Sequence, residues 1–284
     1  MTQDTRPYRS VLYIPGSKER ALEKARTLPV DAIIFDLEDA VAVDEKVHAR
    51  TTLKAALDED GYGSRVKIVR INGLDTEWGA DDARAVAEMN ADAILLPKVG
   101  SPADVDALAA LIPDDLPIWA MMETPRGMLN AAAIAAHPRM AGFVMGTNDL
   151  AKELQTRFRA DRLPMISSLS ICLLAARAEG LVIVDGVYNA FKDDEGLKVE
   201  CDQGRDMGFD GKTLIHPAQV AVCNEAFAPS AAEIDLAKRQ IAEFEEVEAA
   251  GGGVAVVDGK IVENLHVATA RQILAKSEAI ANLG

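Results

Sequence analysis

Two carboxylates stand at the ends of neighbouring apolar runs: Glu123 in Trp119-Ala120-Met121-Met122-Glu123-Thr124-Pro125, and Asp149 in Val144-Met145-Gly146-Thr147-Asn148-Asp149-Leu150. Carboxylates on adjacent strand ends repel unless a positive charge lies between them. No His or Cys cluster accompanies the pair, and hard oxygen donors of this kind suit Mg²⁺ rather than zinc. Mg²⁺ keeps several waters, so two protein carboxylates and a chelating substrate are a usual shell; the sequence does not separate Mg²⁺ from Mn²⁺. The competing reading is structural: Asp149 caps a helix and Glu123 pairs with Arg126. Arg70, in Ile68-Val69-Arg70-Ile71, could clamp a carboxylate through two parallel hydrogen bonds or form a rim ion pair. The stretch Asp36-Leu37-Glu38-Asp39-Ala40 is too acidic to hold an anionic substrate. Its Glu38 and Asp39 could instead accept hydrogen bonds from metal-bound waters, or the stretch could cap the next helix.

Positioning these groups requires a scaffold that brings many strand ends together. Short β-branched runs alternate with longer helical patterns, which signals βα units around a parallel sheet. Strands are expected at Ser10–Ile14, Ala32–Phe35, Lys67–Ile71, Ala93–Leu96, Ile118–Met122, Gly142–Met145, Val182–Val184 and Gly211–Leu214. Helices are expected between them, at Glu19–Arg26, Lys46–Leu57, Ala80–Glu88, Ala103–Leu111, Met128–Ala136, Ser168–Ala178, Leu197–Met207 and Pro217–Ala226. Eight such pairs predict a closed (β/α)₈ barrel over residues 1–228, with chemistry on the loops at the strands' C-terminal ends. Those ends carry Pro15-Gly16-Ser17, Glu38-Asp39, Arg70, Lys98, Glu123, Asp149, Asp185 and His216-Pro217.

Residues 229–284 read as an extension. Ser230–Ala249 has Ile234, Ala237, Ile241, Phe244 and Glu248 at helical spacing, and Gly251-Gly252-Gly253 ends that helix. Val254–Val257 and Lys260–Val262 flank Asp258-Gly259, a type I′ hairpin signal, and a last helix runs from about Leu265 to Ile280. The tail reads as an appendage without an independent core.

Composition excludes several classes of function. The chain has 284 residues, 49% hydrophobic and 26% charged, with a net charge of −15. That charge argues against a broad nucleic-acid or anionic-membrane surface, though a few local Lys and Arg residues suffice for one phosphate group. No GxGxxG follows the first strand and no GxSxG occurs, which weighs against a dinucleotide fold and a Ser nucleophile. Cys172, Cys201 and Cys223 lack zinc spacing, and His48, His137 and His266 lack triad spacing. The N-terminus has no apolar export segment and no run is long enough to span a bilayer, so a cytoplasmic protein is expected.

Several motifs in order then carry a resemblance. Arg9-Ser10-Val11-Leu12-Tyr13-Ile14-Pro15-Gly16, Phe35-Asp36-Leu37-Glu38-Asp39-Ala40-Val41, Met121-Met122-Glu123-Thr124-Pro125 and Gly211-Lys212-Thr213-Leu214-Ile215-His216-Pro217 resemble the citrate lyase β-subunit and malyl-CoA lyase family, within the HpcH/HpaI aldolase superfamily. The resemblance covers nearly the whole chain. Asp185-Gly186-Val187-Tyr188-Asn189-Ala190-Phe191 and the segment from Asp258 to His266 are most similar to the (3S)-malyl-CoA thioesterases of bacterial acetyl-CoA assimilation.

This resemblance implies Mg²⁺-dependent hydrolysis of (3S)-malyl-CoA to malate and CoA. The alternatives are lyase cleavage of malyl-CoA or β-methylmalyl-CoA to glyoxylate and an acyl-CoA, or a non-catalytic acyl-CoA-binding subunit. It implies that Glu123 and Asp149 bind Mg²⁺ and that Arg70 holds the substrate carboxylate. It further implies that Tyr13, Pro15 and Lys18, with Lys46, Ile215, His216 and Pro217, cradle CoA. A homotrimer or homohexamer is implied, its C-terminal hairpin closing over a neighbour's active site. Where the lyases place a closing Asp for proton transfer, this chain has Glu263, expected to act as general base. The extra methylene matters, because a displacement of ~1 Å can cost on the order of a hundredfold in rate.

Overall fold

A computed structural model describes residues 6–283; the first five residues, read above for an export signal, and Gly284 lie outside the described residues. Eight parallel strands close in sequence order: β1 (Ser10–Pro15), β2 (Ala32–Asp36), β3 (Val66–Arg70), β4 (Ala93–Leu96), β5 (Ile118–Met122), β6 (Met140–Met145), β7 (Val182–Asp185) and β8 (Gly211–Leu214). β1 pairs with both β2 and β8, which leaves no open sheet edge. Between and after the strands run α1 (Glu19–Ala25), α2 (Lys46–Asp58), α3 (Gly79–Val86), α4 (Pro102–Ala109), α5 (Pro125–Leu129), α6 (Ala131–Ala135), α7 (Thr147–Glu153), α8 (Ile166–Glu179), α9 (Asp194–Met207) and α10 (Val220–Phe227). This is the (β/α)₈ barrel that the alternating pattern predicts.

Successive strand residues point to opposite faces, so each strand divides its side chains between two layers. Val11, Ile34, Ile68, Leu95, Trp119, Met121, Val144 and Val184 pack together as the barrel interior. Leu12, Ile33, Phe35, Val69, Ile94, Ile183 and Leu214 belong to the layer shared with the helices. Complete burial of one such side chain contributes about 1.5–3 kcal/mol. Trp119 fits because its register partner is Gly142; a Cβ there would stand 2.6 Å from the indole.

The same alternation decides the fate of the strand-end charges. Tyr13, Asp36, Arg70 and Glu123 each lie two residues beyond an interior residue, namely Val11, Ile34, Ile68 and Met121. Asp185 follows interior Val184 by one residue and therefore turns outward. There it meets Arg162 at 2.6 Å and Lys212 at 3.1 Å, and Lys212 also bonds Glu200 at 2.6 Å. Asp185 thus belongs to an ion network between barrel and helices, not to the rim set in which its place at a strand end puts it.

Two local differences from the sequence pattern have simple causes. The helix expected over Met128–Ala136 is two short helices, because Asn130 (φ −103, ψ 6) breaks the helical path between α5 and α6. Helix α7 is absent from the helices expected between strands and enters only through the reading of Asp149 as a helix cap, since Gly-Thr-Asn-Asp reads as turn residues and only seven residues follow the helical path.

From Ala228 onward the chain forms a second compact unit. It comprises α11 (Ala231–Ala249), β9 (Ala255–Val257), β10 (Lys260–Val262) and α12 (Asn264–Ala281). Ser230 and Glu233 cap α11 reciprocally: the Glu233 N–H donates to Ser230 Oγ at 3.2 Å, and the Ser230 N–H to Glu233 Oε2 at 2.7 Å. Asp258 and Gly259 take φ of 50° and 75° between antiparallel β9 and β10, as a type I′ turn requires. Phe244, Ala255, Val257, Val262 and Val267 pack into a small core of the unit's own. The expectation of a tail without a core is corrected: α11 and the hairpin bury their apolar faces on each other.

The buried network gives a stability test. Burial disfavours the Asp185 carboxylate, but Lys212 and Arg162 outweigh it and hold the carboxyl below its usual range. A depressed folded pKa contributes stability above the unfolded value and loses it as pH falls through the folded value. Wild type should therefore lose this contribution below about pH 4. Lys212→Met, which leaves Asp185 and Glu200 with less compensating charge, should lower unfolding free energy at neutral pH by about 3–5 kcal/mol in urea titrations.

Candidate metal and substrate site

The interior-facing groups converge at the C-terminal mouth of the barrel. Asp36 and Arg70 are register partners across β2 and β3. Asp36 accepts from Arg70 Nε at 2.8 Å and from Nη2 at 2.6 Å. Its carboxylate also accepts the N–H groups of Glu38 and Ala40, which ties the acidic loop down. Arg70 Nη1 lies 2.8 Å from Glu38 and 3.4 Å from Asp39, and the guanidinium sits over the Tyr13 ring. The bidentate face expected to meet a substrate carboxylate is thus held by Asp36, leaving Nη1 as the nitrogen turned to the acidic rim.

Lys98 joins the two acidic strand ends. Its backbone N–H donates to Glu123 Oε1 at 2.7 Å, and its ammonium lies 3.1 Å from Glu38. Lys98 holds a left-handed backbone, φ 54°, which aims the N–H at Glu123. Glu123 is 2% exposed. Burial pushes its carboxyl up to about 8; the Lys98 N–H opposes this, Glu38 adds to it, Arg70 opposes it and Asp149 adds to it. Glu38 is likewise raised, chiefly by burial and against the pull of Arg70.

Asp149 is half-buried in the first turn of α7, where helix polarity favours an anion. The helix reading of Asp149 therefore describes its backbone, and its charge still acts on Glu123. Among the described residues Glu123 makes no ion pair with Arg126. Gly146 lets β6 turn past Glu123: a Cβ there would lie 2.5 Å from both Cβ and Oε2 of Glu123. Buried acids crowded without full compensation are the donor chemistry of a hard cation. No group of three or more His, Cys, Asp and Glu residues arranged for a metal occurs among the described residues. A cation held here by Glu123 and Asp149 would draw its remaining ligands from water and substrate.

The residues expected around CoA are placed unevenly. Tyr13 lies at the inner mouth, its hydroxyl raised by burial and 3.9 Å from Met121 Sδ. Pro15 ends β1, and Lys18 is exposed and paired with Glu45 at 3.0 Å. Lys46 is 7% exposed, and its ammonium donates to the carbonyls of Leu37 and Glu38 at 3.2 and 2.9 Å. It supports the acidic loop from beneath. Ile215 is exposed, and its N–H and that of His216 share Gln219 Oε1. His216 stacks on Phe191 and accepts the Ala218 N–H at the Pro217 turn. Glu263, in the second unit, begins α12 directly after β10 and donates its N–H to His266 Nδ1 at 3.0 Å. Histidines 48 and 137 make local contacts, to Thr52 and Asp106.

Sequence reasoning missed the parts played by Asp36, Lys98 and Gly146. The signal for Asp36 was available, since it follows Ile34 by two and faces Arg70 across the sheet. No residue type announces a lysine with positive φ.

Residues 9–217 match the family described as HpcH/HpaI aldolase/citrate lyase. The chain is 70% identical over 281 residues to "(3S)-malyl-CoA thioesterase" of Cereibacter sphaeroides, covering 99% of this chain and 98% of that one. It is 33% identical to the citrate lyase subunit beta of Escherichia coli K12, covering 96% and 94%. Among solved structures, the protein CitE from Mycobacterium tuberculosis in complex with magnesium, acetoacetate and coenzyme A aligns with a TM-score of 0.82 at 31% identity. That alignment covers 96% of this chain and 99% of the other.

Gly146→Ala tests the packing around Glu123. The added methyl displaces the carboxylate, and Mg²⁺ affinity measured by calorimetry should fall by about tenfold or more, since a shift of ~1 Å is enough to lose alignment. Unchanged affinity would remove Glu123 from the metal shell.

Proposed function

We propose, for a chain that belongs to the HpcH/HpaI aldolase/citrate lyase family, that it is a Mg²⁺-dependent thioesterase hydrolysing (3S)-malyl-CoA to malate and CoA. The observation that carries the reading is the 70% identity, over 99% of the chain, to a protein of that name. The charge-deficient mouth of the barrel supports it, with Glu123 and Asp149 suited to a hard cation. Mg²⁺ bound there would supply positive charge to the malyl carboxylate and the neighbouring C3 hydroxyl and polarise them; Mn²⁺ accepts similar oxygen donors.

The chain's own residues do the rest. Arg70, locked by Asp36, presents Nη1 to the substrate carboxylate and fixes its orientation. Glu38 and Asp39 accept hydrogen bonds from waters around the cation. Tyr13, Pro15, Lys18, Ile215, His216 and Pro217 line the approach of the CoA arm, and Lys46 stiffens that approach from beneath the loop. Glu263, carried by the C-terminal unit of a neighbouring subunit in a homotrimer or homohexamer, takes a proton from water. That water attacks the thioester carbonyl, the carbon–sulfur bond breaks, and CoA leaves as the thiolate. General-base assistance of this kind contributes roughly 10²–10⁴-fold. Three buried free thiols fit a reducing cytoplasm, and no helix among the described residues is long and apolar enough to cross a membrane.

The family and its citrate lyase relatives favour one second reading, carbon–carbon cleavage to glyoxylate and acetyl-CoA at the same site. Incubation with (3S)-malyl-CoA and Mg²⁺ separates the two. Malate and free thiol should accumulate together, EDTA should stop their release and added Mg²⁺ restore it. Glyoxylate as main product overturns the thioesterase reading. Glu263→Gln should lower kcat by about 10²–10⁴-fold, and Glu263→Asp should raise glyoxylate release; a Glu263→Gln enzyme with normal turnover removes this residue from the chemistry.

A further inference from the structure

Beside the β6–α7 corner the barrel unit holds a cavity, of about 580 Å³, that the proposed chemistry does not use. It lies between the 154–165 segment leading into α8 and the 186–193 segment leading into α9. None of Tyr13, Arg70, Glu123, Asp149 and Lys18 lines it. Its volume is in the range of small-molecule pockets, about 300–1,000 Å³. Phe158, Met165, Val187 and Val199 make its walls largely apolar, with Tyr188 at one side.

The cavity's charge is opposite to that of the molecule. In a chain of net charge −15, three arginines, Arg157, Arg159 and Arg162, line it against a single carboxylate, Glu200. Most of this charge is already balanced. Arg159 pairs with Asp161, and Arg162, 6% exposed, is held by Asp185 and Gln203 within the buried network. Two donors are left over. Arg157 is exposed and makes no hydrogen bond or ion pair among the described residues, and Arg162 Nη2 is buried with no acceptor. Arg162 also keeps a left-handed backbone, φ 52°, and lines the cavity. An unpaired buried donor and a free guanidinium on an apolar cavity call for an oxyanion carried on an apolar body.

We propose that this cavity is a second binding site, for a small organic anion whose carboxylate or phosphate meets Arg157 and Arg162 while its apolar part packs on Phe158 and Val199. The site is independent of the thioesterase reading, because its residues take no part in that chemistry.

Calorimetric titration of the full chain with phenyl phosphate, benzoate and the neutral phenol tests the assignment. Either anion should bind wild type and Glu123→Gln alike, with phenol at least about tenfold weaker, as expected when a charged pairing of ~1.4 kcal/mol or more is missing. Arg157→Gln, a change at an exposed and unpaired residue that leaves the fold intact, should weaken the anion by about tenfold. Phenyl phosphate against benzoate tells which oxyanion the site prefers, and binding of either supports it. Absence of binding, as when a neighbouring subunit fills the cavity, overturns the proposal. So does binding that survives Arg157→Gln or disappears in Glu123→Gln.

Discussion

The clamp between Arg70 and Asp36 organises the mouth of this barrel. Both residues are buried, both come from interior positions of adjacent strands, and two short hydrogen bonds join them. A buried guanidinium needs such a partner, because removing one member of a buried pair leaves an uncompensated charge. Once fixed, Arg70 holds Glu38, Glu38 meets Lys98, and Lys98 donates to Glu123. Charge thus alternates along a chain of contacts from β2 across to β5. Five carboxylates, Asp36, Glu38, Asp39, Glu123 and Asp149, share two cations, Arg70 and Lys98. The deficit is left at Glu123 and Asp149; burial raises the Glu123 carboxyl first, and Glu38 and Asp149 add to it.

Much of this was legible in the sequence because strand alternation is a strict code. The eight runs, their order and their interior faces follow from apolar spacing, and Glu123 and Arg70 emerge as interior groups from the same count. Counting strand ends without parity is less discriminating. It admits Asp185 to the rim, although Val182 and Val184 already occupy the inward positions of β7. Helix α7 was legible only in part, for a different reason: its first turn is made of residues that equally favour a loop, so the sequence offers a helix there only through the reading of Asp149 as a cap.

What could not be read are the contacts that no residue type predicts. The left-handed backbone of Lys98 delivers an amide to Glu123, and the fold around it imposes that conformation. The family resemblance implies that Lys46 helps cradle CoA, yet the 37–38 carbonyls hold its ammonium. In both cases the side chain's identity sets what it can do, and the tertiary neighbours select which of those things it does.

The division of labour between the two units bears on which bond breaks. The barrel mouth holds groups that are locked to one another, and in the proposed function that apparatus would suit any substrate offering a carboxylate and a neighbouring oxygen to a cation. Glu263 belongs to the second unit, at a strand-to-helix corner where the N–H of Glu263 is fixed by His266 and Val262 is anchored in the small core. Its backbone is fixed by contacts within the second unit, and the length of its side chain sets how far the carboxylate reaches. An Asp at that corner would stop one methylene short, so in the proposed function the choice between hydrolysis and cleavage would be made by reach, within a frame that otherwise serves both.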